Sequence, residues 1–247
     1  MVDRLYEALD LPDRSYLGKR VYKRFFREHA KLGVTDRKAL SDDIDTILWQ
    51  YTLKTSTVPI QPYHDEEREY LEVAIVQVAM KNQRRALRIT EIIHRAIPYP
   101  VILVLAYDAM VLVSLAHKRL SRAERDAIVA EDFASSDWID LANPAEVEDQ
   151  FLESVRFRRL PATDFFRFYG GLFDGVVALE AARVSGRFEV DAIESKREHL
   201  RRYTELNREI AELRTAIKNE TAFNRKVELN SRIKELEDLR AKEVQRL

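Results

Sequence analysis

The sequence predicts an α+β fold: a mostly antiparallel sheet with packed helices around a strand–helix–strand–strand core, followed by a C-terminal helical hairpin or coiled coil. Three features carry that reading. Tyr70 to Met80 is an almost continuous apolar run, the pattern of a strand covered on both faces. Arg84 to Ile97 changes to helical spacing, and two further apolar runs follow it. From Phe188 to Leu247 there is neither Pro nor Gly, and Glu, Lys, Arg and Leu dominate, as they do in long helices. The change of composition near Gly186 divides the chain into an α+β part, 1–186, with N-terminal helices, and a helical tail, 187–247.

In order along the chain, Asp13 and Ser15 precede Tyr16, Leu17, Val21, Phe25, Phe26 and Leu32, whose spacing places an apolar stripe on one helix ending at Gly33. Thr35 resembles the N-cap of a second helix. Ile47 to Leu53 is aromatic and β-branched and reads as a strand; Thr55 to Pro62, with two prolines, reads as an extended connection. In Arg84 to Ile97, Leu87, Ile89, Ile92, Ile93 and Ala96 share a face away from Arg85, Arg88, Glu91 and Arg95, and Pro98 and Pro100 end the helix. Val101–Tyr107 and Val111–Ala116 are two strands, separated by a link short enough for a hairpin turn. Ile128–Phe133 and Trp138–Leu141 extend the sheet at an edge. Asn143 and Pro144 read as the cap and first position of a helix, and another runs from about Asp164 to Val184.

In the tail, Tyr203, Leu206, Ile210, Leu213 and Ile217 alternate by three and four and form a seam. Leu229, Ile233 and Leu236 form a second seam out of phase with the first, and 218–226 lie in the break. The interruption, with its two Asn, favours a hairpin over one continuous helix. Isolated helices of this kind are marginal without packing, so the seam must meet its own second half, another copy or another protein.

With 41 Lys+Arg against 42 Asp+Glu, the net charge is −1. A generally basic nucleic-acid coat is excluded, but local basic patches are not. The absence of Cys excludes disulfides, thiolate nucleophiles and Cys-ligated zinc. No apolar run approaches the roughly 18 residues of a membrane span, and Met1 to Asp10 lacks the basic start and apolar core of a secretory signal, so a cytoplasmic chain is expected. Gly170, Gly171 and Gly175 are not followed by Lys-Ser/Thr, and neither a Gly-x-Ser-x-Gly elbow nor a zinc-binding His spacing occurs. No cofactor and no metal are expected.

Five segments resemble a bacterial and archaeal family known as a domain of unknown function: Glu67–Val73, Glu91–Pro100, Ser114–Arg119, Ser136–Leu141 and Asn224–Asn230. The resemblance covers nearly the whole chain. Members of that family tend to be encoded beside DNA methyltransferases and helicases in loci like those of restriction or phage-defence systems, so the resemblance implies a defence-associated context. Relatives often carry Glu at the place of Gln77; a carboxylate acting there would be missing here.

A restriction-type nuclease needs two carboxylates and a Lys around a divalent metal. The central strand offers only Gln77 and Lys81, and the one Glu-x-Lys, Glu194-Ser195-Lys196, stands at the start of the tail. Asp43, Asp45 and Glu72 could meet in space, although such acids are usually solvated. His94 ends the central helix and His117 the last central strand, so both are catalytic candidates at one rim of the sheet, with Lys118 and Arg119 as phosphate ligands. Alternatively His94 complements its helix C-terminus, while Lys118 and Arg119 guard a sheet edge. Lys19, Arg20, Lys23, Arg24 and Arg27 make a basic stripe, expected on one helix, suited to DNA or RNA phosphates or simply to solvent. Phe165, Phe166, Phe168, Tyr169, Leu172 and Phe173 form an aromatic cluster best explained as core. Phe223, Asn224 and Arg225 would sit at the hairpin tip as a docking point, with Leu229, Ile233 and Leu236 behind them.

These features favour a non-enzymatic accessory or adaptor subunit that docks through its tail onto a protein partner, a methyltransferase or helicase of its locus. The alternative is a nucleic-acid-binding or -processing enzyme using the His94/His117/Arg119 rim. Homo-oligomerisation through the tail is a third expectation, and no membrane association is expected.

Overall fold

The structure is a computed structural model that describes residues 2–30, 32–122 and 127–247, with the backbone alone for His29. The first elements are α1 (Asp3–Leu9), β1 (Tyr16–Arg20), α2 (Lys23–His29), α3 (Val34–Asp42) and β2 (Ile44–Lys54). A short ribbon, β3 (Tyr63–His64) and β4 (Glu69–Tyr70), precedes β5 (Glu72–Met80), α4 (Ala86–Ala96), β6 (Val101–Tyr107) and β7 (Met110–Leu120). Then come β8 (Ile128–Ser135), β9 (Ile139–Asp140), α5 (Glu146–Ser154), α6 (Phe165–Ser185), α7 (Ile193–Asn219) and α8 (Phe223–Val244). The chain divides into two compact units, Met1–Val176 and Val177–Leu247.

The first unit is built on a seven-stranded sheet in the order β1-β2-β5-β6-β7-β8, with β9 also on β7. Pairing is antiparallel except between β5 and β6, which run parallel as the intervening helix α4 requires. The strand–helix–strand–strand core and the mixed, mostly antiparallel sheet therefore match the reading of the sequence. Alternate residues of β5 and β6 face opposite ways. Ala74, Val76 and Val78 with Val101, Leu103 and Leu105 pack with α2, α3 and α4, around Phe26, Leu40, Ile89 and Ile93. Ile102 and Val104, with Val113 and Leu115 of β7, meet Leu5 and Leu9 of α1, Phe151 of α5 and Leu172 of α6. Most of the predicted aromatic cluster is core: Phe165, Phe168, Tyr169, Leu172 and Phe173 are buried, while Phe166 is half-buried and stacks on Tyr63.

Three local expectations are corrected. Residues 16–32 are not one helix, because Tyr16–Arg20 forms an edge strand against β2 and Gly18 takes a left-handed φ of 61° that a helix cannot contain. Helix α3 is capped at Gly33, whose N–H is accepted by the Asp36 carboxylate at 3.4 Å, and not at Thr35. Helix α5 starts at Glu146, beyond Pro144, since Glu148 reaches back to the Ala145 N–H at 2.9 Å. Side-chain reach decided these boundaries, not the residue at the nominal cap.

In the second unit α7 and α8 form an antiparallel hairpin. Leu206, Ile210, Ile233 and Leu236 close its seam, with Leu213 and Ile217 packed alongside. His199–Glu243 and Arg214–Glu237 contacts, each 2.7 Å, cross between the helices, as do the 2.9 Å bond from Arg240 to Asn207 and the 3.2 Å Arg232–Glu209 pair. The turn is fixed by Glu220, whose carboxylate accepts the N–H groups of Thr221 and Ala222.

Two adjacent glycines of α6 make a test of this packing. A Cβ on Gly171 would sit 2.7 Å from Pro161 Cδ and 3.2 Å from Leu160 Cδ2, whereas one on Gly170 meets nothing within 4 Å. Gly171→Ala is therefore expected to destabilise by about 1–3 kcal/mol through overpacking. Gly170→Ala should stabilise by up to about 1 kcal/mol from helix propensity. Urea denaturation of the two variants would check the opposite signs.

Candidate functional site

Strand β7 carries most of the residues singled out around the sheet, and its alternation sorts them. Ser114 and Lys118 turn toward α4, whereas Leu115 and His117 turn toward α6. His94 projects from α4 to meet Ser114, its Nε2 lying 3.1 Å from the hydroxyl, and its ring edge packs on Phe133. His117 Nδ1 lies 2.8 Å from the Tyr70 hydroxyl, with Phe166, Tyr169 and Phe173 around the ring. The two histidines lie on opposite faces of the sheet, so the shared rim expected from the sequence does not form.

His94 is 0% exposed, and its Nδ1 has no hydrogen-bond partner among the described residues. Burial, helped by the nearby Lys118 charge, pushes its pKa down to about 3. It is neutral in the fold, so neither proton exchange near pH 7 nor a charge complementing the helix end belongs to it. That second role falls to Lys118, which is only 2% exposed. Its Nζ donates to the carbonyls of His94 and, at 2.9 Å, Ile97, two of the groups left over where α4 ends. Burial pushes the ammonium down to about 7. Arg119 is also committed: its Nε donates to Glu131 at 2.6 Å, and Arg68 holds the other carboxylate oxygen at 2.7 Å. Lys118 is thus too buried, and Arg119 too well paired, to serve as the phosphate ligands expected from their exposure on a strand end.

The carboxylates expected to gather do not. Asp43 is buried against Arg85 and Asn82, with the Arg85 guanidinium holding it below the usual carboxylate range. Glu72 pairs in register with Lys54, at the opposite end of the β2–β5 ladder from Asp43 and Asp45. Gln77 accepts from Tyr6 at 3.0 Å and from Gln50 at 2.9 Å, beside a cleft of about 740 Å³. Lys196 of the Glu-x-Lys motif is spent in its own turn, on Asp191 and the Glu189 carbonyl. Among the described residues no group of three His, Asp or Glu is placed to hold a metal.

The basic stripe is split between two elements: Lys19 and Arg20 on β1, and Lys23, Arg24 and Arg27 on α2. Arg24 pairs with Glu28 at 2.6 Å, and Arg27 donates to the Ser41 hydroxyl at 3.0 Å. At the hairpin tip Phe223 is 77% exposed and Val227, one turn later, 49%. Asn224 is exposed beside them, and exposed Arg225 pairs with Glu228. Leu229 is half-buried, while Ile233 and Leu236 are consumed in the seam and offer nothing to a partner. Sequence reasoning missed Lys118 as a helix-end ligand; the one signal was its two-residue alternation with Ser114 along β7.

The family described as Domain of unknown function (DUF4391) matches residues 9–239, and the chain belongs to that family. No curated protein and no solved structure matches it.

Lys118 makes a pH-dependent contribution whose sign is set by its depressed pKa. Between the folded value of about 7 and the ordinary 10.5, the unfolded chain binds more protons, so stability at this site rises with pH. Relative to Lys118→Met, the wild type should gain about 2 kcal/mol between pH 7 and 9. Urea titrations at the two pH values would check it; a flat difference would mean that the amine stays charged in the fold.

Proposed function

We propose that this chain is an accessory, non-catalytic subunit that docks onto a larger protein through the tip of its helical hairpin. The observation that carries the reading is the division of apolar residues in the second unit. The seam residues are buried against one another, while Phe223 and Val227 remain in solvent at the tip. Phe223 does not plug the end of the helix pair, and Glu220 fixes the turn without it. A large exposed aromatic with no structural task, flanked by an amide and a guanidinium, suits an interface hot spot. The loci implied by the family resemblance point to a DNA methyltransferase or helicase as the partner.

The separation of His94 from His117 favours this reading over a processing enzyme, since the sheet lies between the proposed acid–base groups. The seam also argues against the tail as an open coiled-coil strand, because its residues are already paired within one chain.

Phe223→Ser with Val227→Ser tests the proposal. Exposed substitutions of this kind change stability by no more than about 0.5 kcal/mol, so the circular dichroism spectrum and Tm should be unchanged. Co-purification with the methyltransferase or helicase encoded beside the gene should fall at least about ten-fold, in line with hot-spot losses. Leu236→Ala, by contrast, should destabilise the hairpin itself by about 2–4 kcal/mol. Undiminished co-purification of the tip variant would defeat the proposal, as would light scattering showing that the tip serves only to join two copies of this chain.

A further inference from the structure

Arg20, Lys23 and Lys81, which the sequence scatters over 20–81, meet at one corner of the sheet, and Lys19 precedes Arg20 on the same edge strand. β1 is an edge strand, and all five of its residues are exposed. Arg20 pairs in register with Leu48, the Val21 N–H goes to the Ile47 carbonyl, and the chain then turns into α2. Lys23, the first residue of α2, reaches the Ile44 carbonyl with its Nζ at 2.5 Å. Lys81, just past the end of β5, donates its backbone N–H to the Asp43 carbonyl at 2.7 Å. Lys23 and Lys81 therefore flank the start of β2, with Arg20 on the adjoining edge. Burial first, then Lys81, Arg27 and Arg20, lower the pKa of Lys23, so Lys23, Lys81, Arg27 and Arg20 are neighbours.

Most carboxylates near this corner are engaged elsewhere. Asp43 belongs to Arg85 and Asn82, and Glu28 to Arg24. Asp45 alone acts back on Lys23. The second feature is aromatic. Tyr22 is 70% exposed, and the Arg20 guanidinium lies 5.7 Å from its ring centroid, leaving a stacked cation–ring platform open to solvent.

We infer that the β1 corner, Lys19, Arg20, Lys23 and Lys81 around Tyr22, binds single-stranded nucleic acid, with the cations on phosphates and Tyr22 stacking on a base. Cations lying at an open strand edge follow a flexible phosphate chain, and an exposed aromatic beside them has a use only if the bases are unstacked. A duplex keeps its bases inside, and α2 has only seven residues with which to enter a groove. Arg24, part of the stripe seen in the sequence, is secondary because Glu28 neutralises it; Arg27, which like Lys23 has a neutral partner, adds to the same positive field. The inference is independent of the hairpin tip.

Fluorescence anisotropy with a labelled oligothymidylate of about 20 nucleotides tests it, against a duplex of equal length, because single-strand sites span about 4–16 nucleotides. Log affinity should fall with log salt at a slope near −3, about −0.7 for each of four phosphates. Lys19→Glu with Lys81→Glu should weaken binding more than about ten-fold and flatten the slope by about 1.4. Tyr22→Ala should weaken it about five-fold or more and leave the slope unchanged. Lys54→Glu, the same charge reversal at the far end of β2, should leave affinity within about two-fold, since sequence-independent binding responds to phosphate contacts. Absent binding, or an equal effect of Lys54→Glu and the double reversal, would overturn the inference. Duplex preference with no response to Tyr22→Ala would overturn its single-strand part.

Discussion

The far half of β7 imposes the condition that the rest of the first unit meets. β7 has eleven residues and β6 seven, and their ladder runs only from Tyr107↔Met110 to Leu103↔Ser114. Beyond Ser114 one edge of β7 stays on β8, but the other has lost its strand while Ala116 and Lys118 are still buried. Each unpaired backbone group there would cost about 1–3 kcal/mol. Side chains and a loop take over. The Tyr169 hydroxyl accepts the Ala116 N–H and bonds the Val101 carbonyl, the Tyr70 hydroxyl accepts the Lys118 N–H, and the Glu67 carbonyl accepts that of Leu120. Arg68 donates to the Lys118 carbonyl and also to Glu131 on β8. The positions of α6 and of the β3–β4 ribbon follow from these substitutions for a missing strand.

Lys118 joins this edge to the opposite face. Its backbone is held by Tyr70 and Arg68, while its side chain crosses to the end of α4. A helix that ends beneath a sheet leaves carbonyls that water cannot reach, and a cation is a strong donor for them. The penalty of burying that cation appears as its lowered pKa, and it also suppresses protonation of His94 next door. Burial first, and the Lys118 charge second, thus keep His94 neutral beneath β7.

What the sequence made legible follows the range of the forces involved. Tyr70–Met80, Arg84–Ile97 and Val101–Ala116 declare themselves because burial repeats with a period of 2 or 3.6, and β5, α4, β6 and β7 lie where those periods put them. The out-of-phase seams of the tail likewise point to the observed hairpin, because each helix repeats its apolar positions at helical spacing. β1 was not legible. Tyr16, Leu17, Val21 and Phe25 mimic helical spacing, and only pairing with β2, far along the chain, holds them extended. The fates of Lys118 and Arg119 were hidden for the same reason, because the Ile97 carbonyl and Glu131 reach them only after the sheet closes.

Charge is distributed so that a nearly neutral chain still has a strongly positive corner. Asp36 and Asp43 hold Arg88 and Arg85 at the α4 face, and Glu131 holds two arginines on β8. Pairing of this kind leaves Lys19, Arg20 and Lys81 without a carboxylate among the described residues. Protection of an open sheet edge accounts for part of it: cations and a left-handed glycine on β1 deter a second copy from extending the sheet. That explanation reaches Lys19 and Arg20, which stand on the edge. It does not reach Lys81, which follows an interior strand, nor Tyr22, whose exposed ring would make an edge more adhesive rather than less. A surface shaped only to avoid contact would have a polar residue at Tyr22; an exposed ring beside the Arg20 guanidinium fits a surface shaped to be occupied.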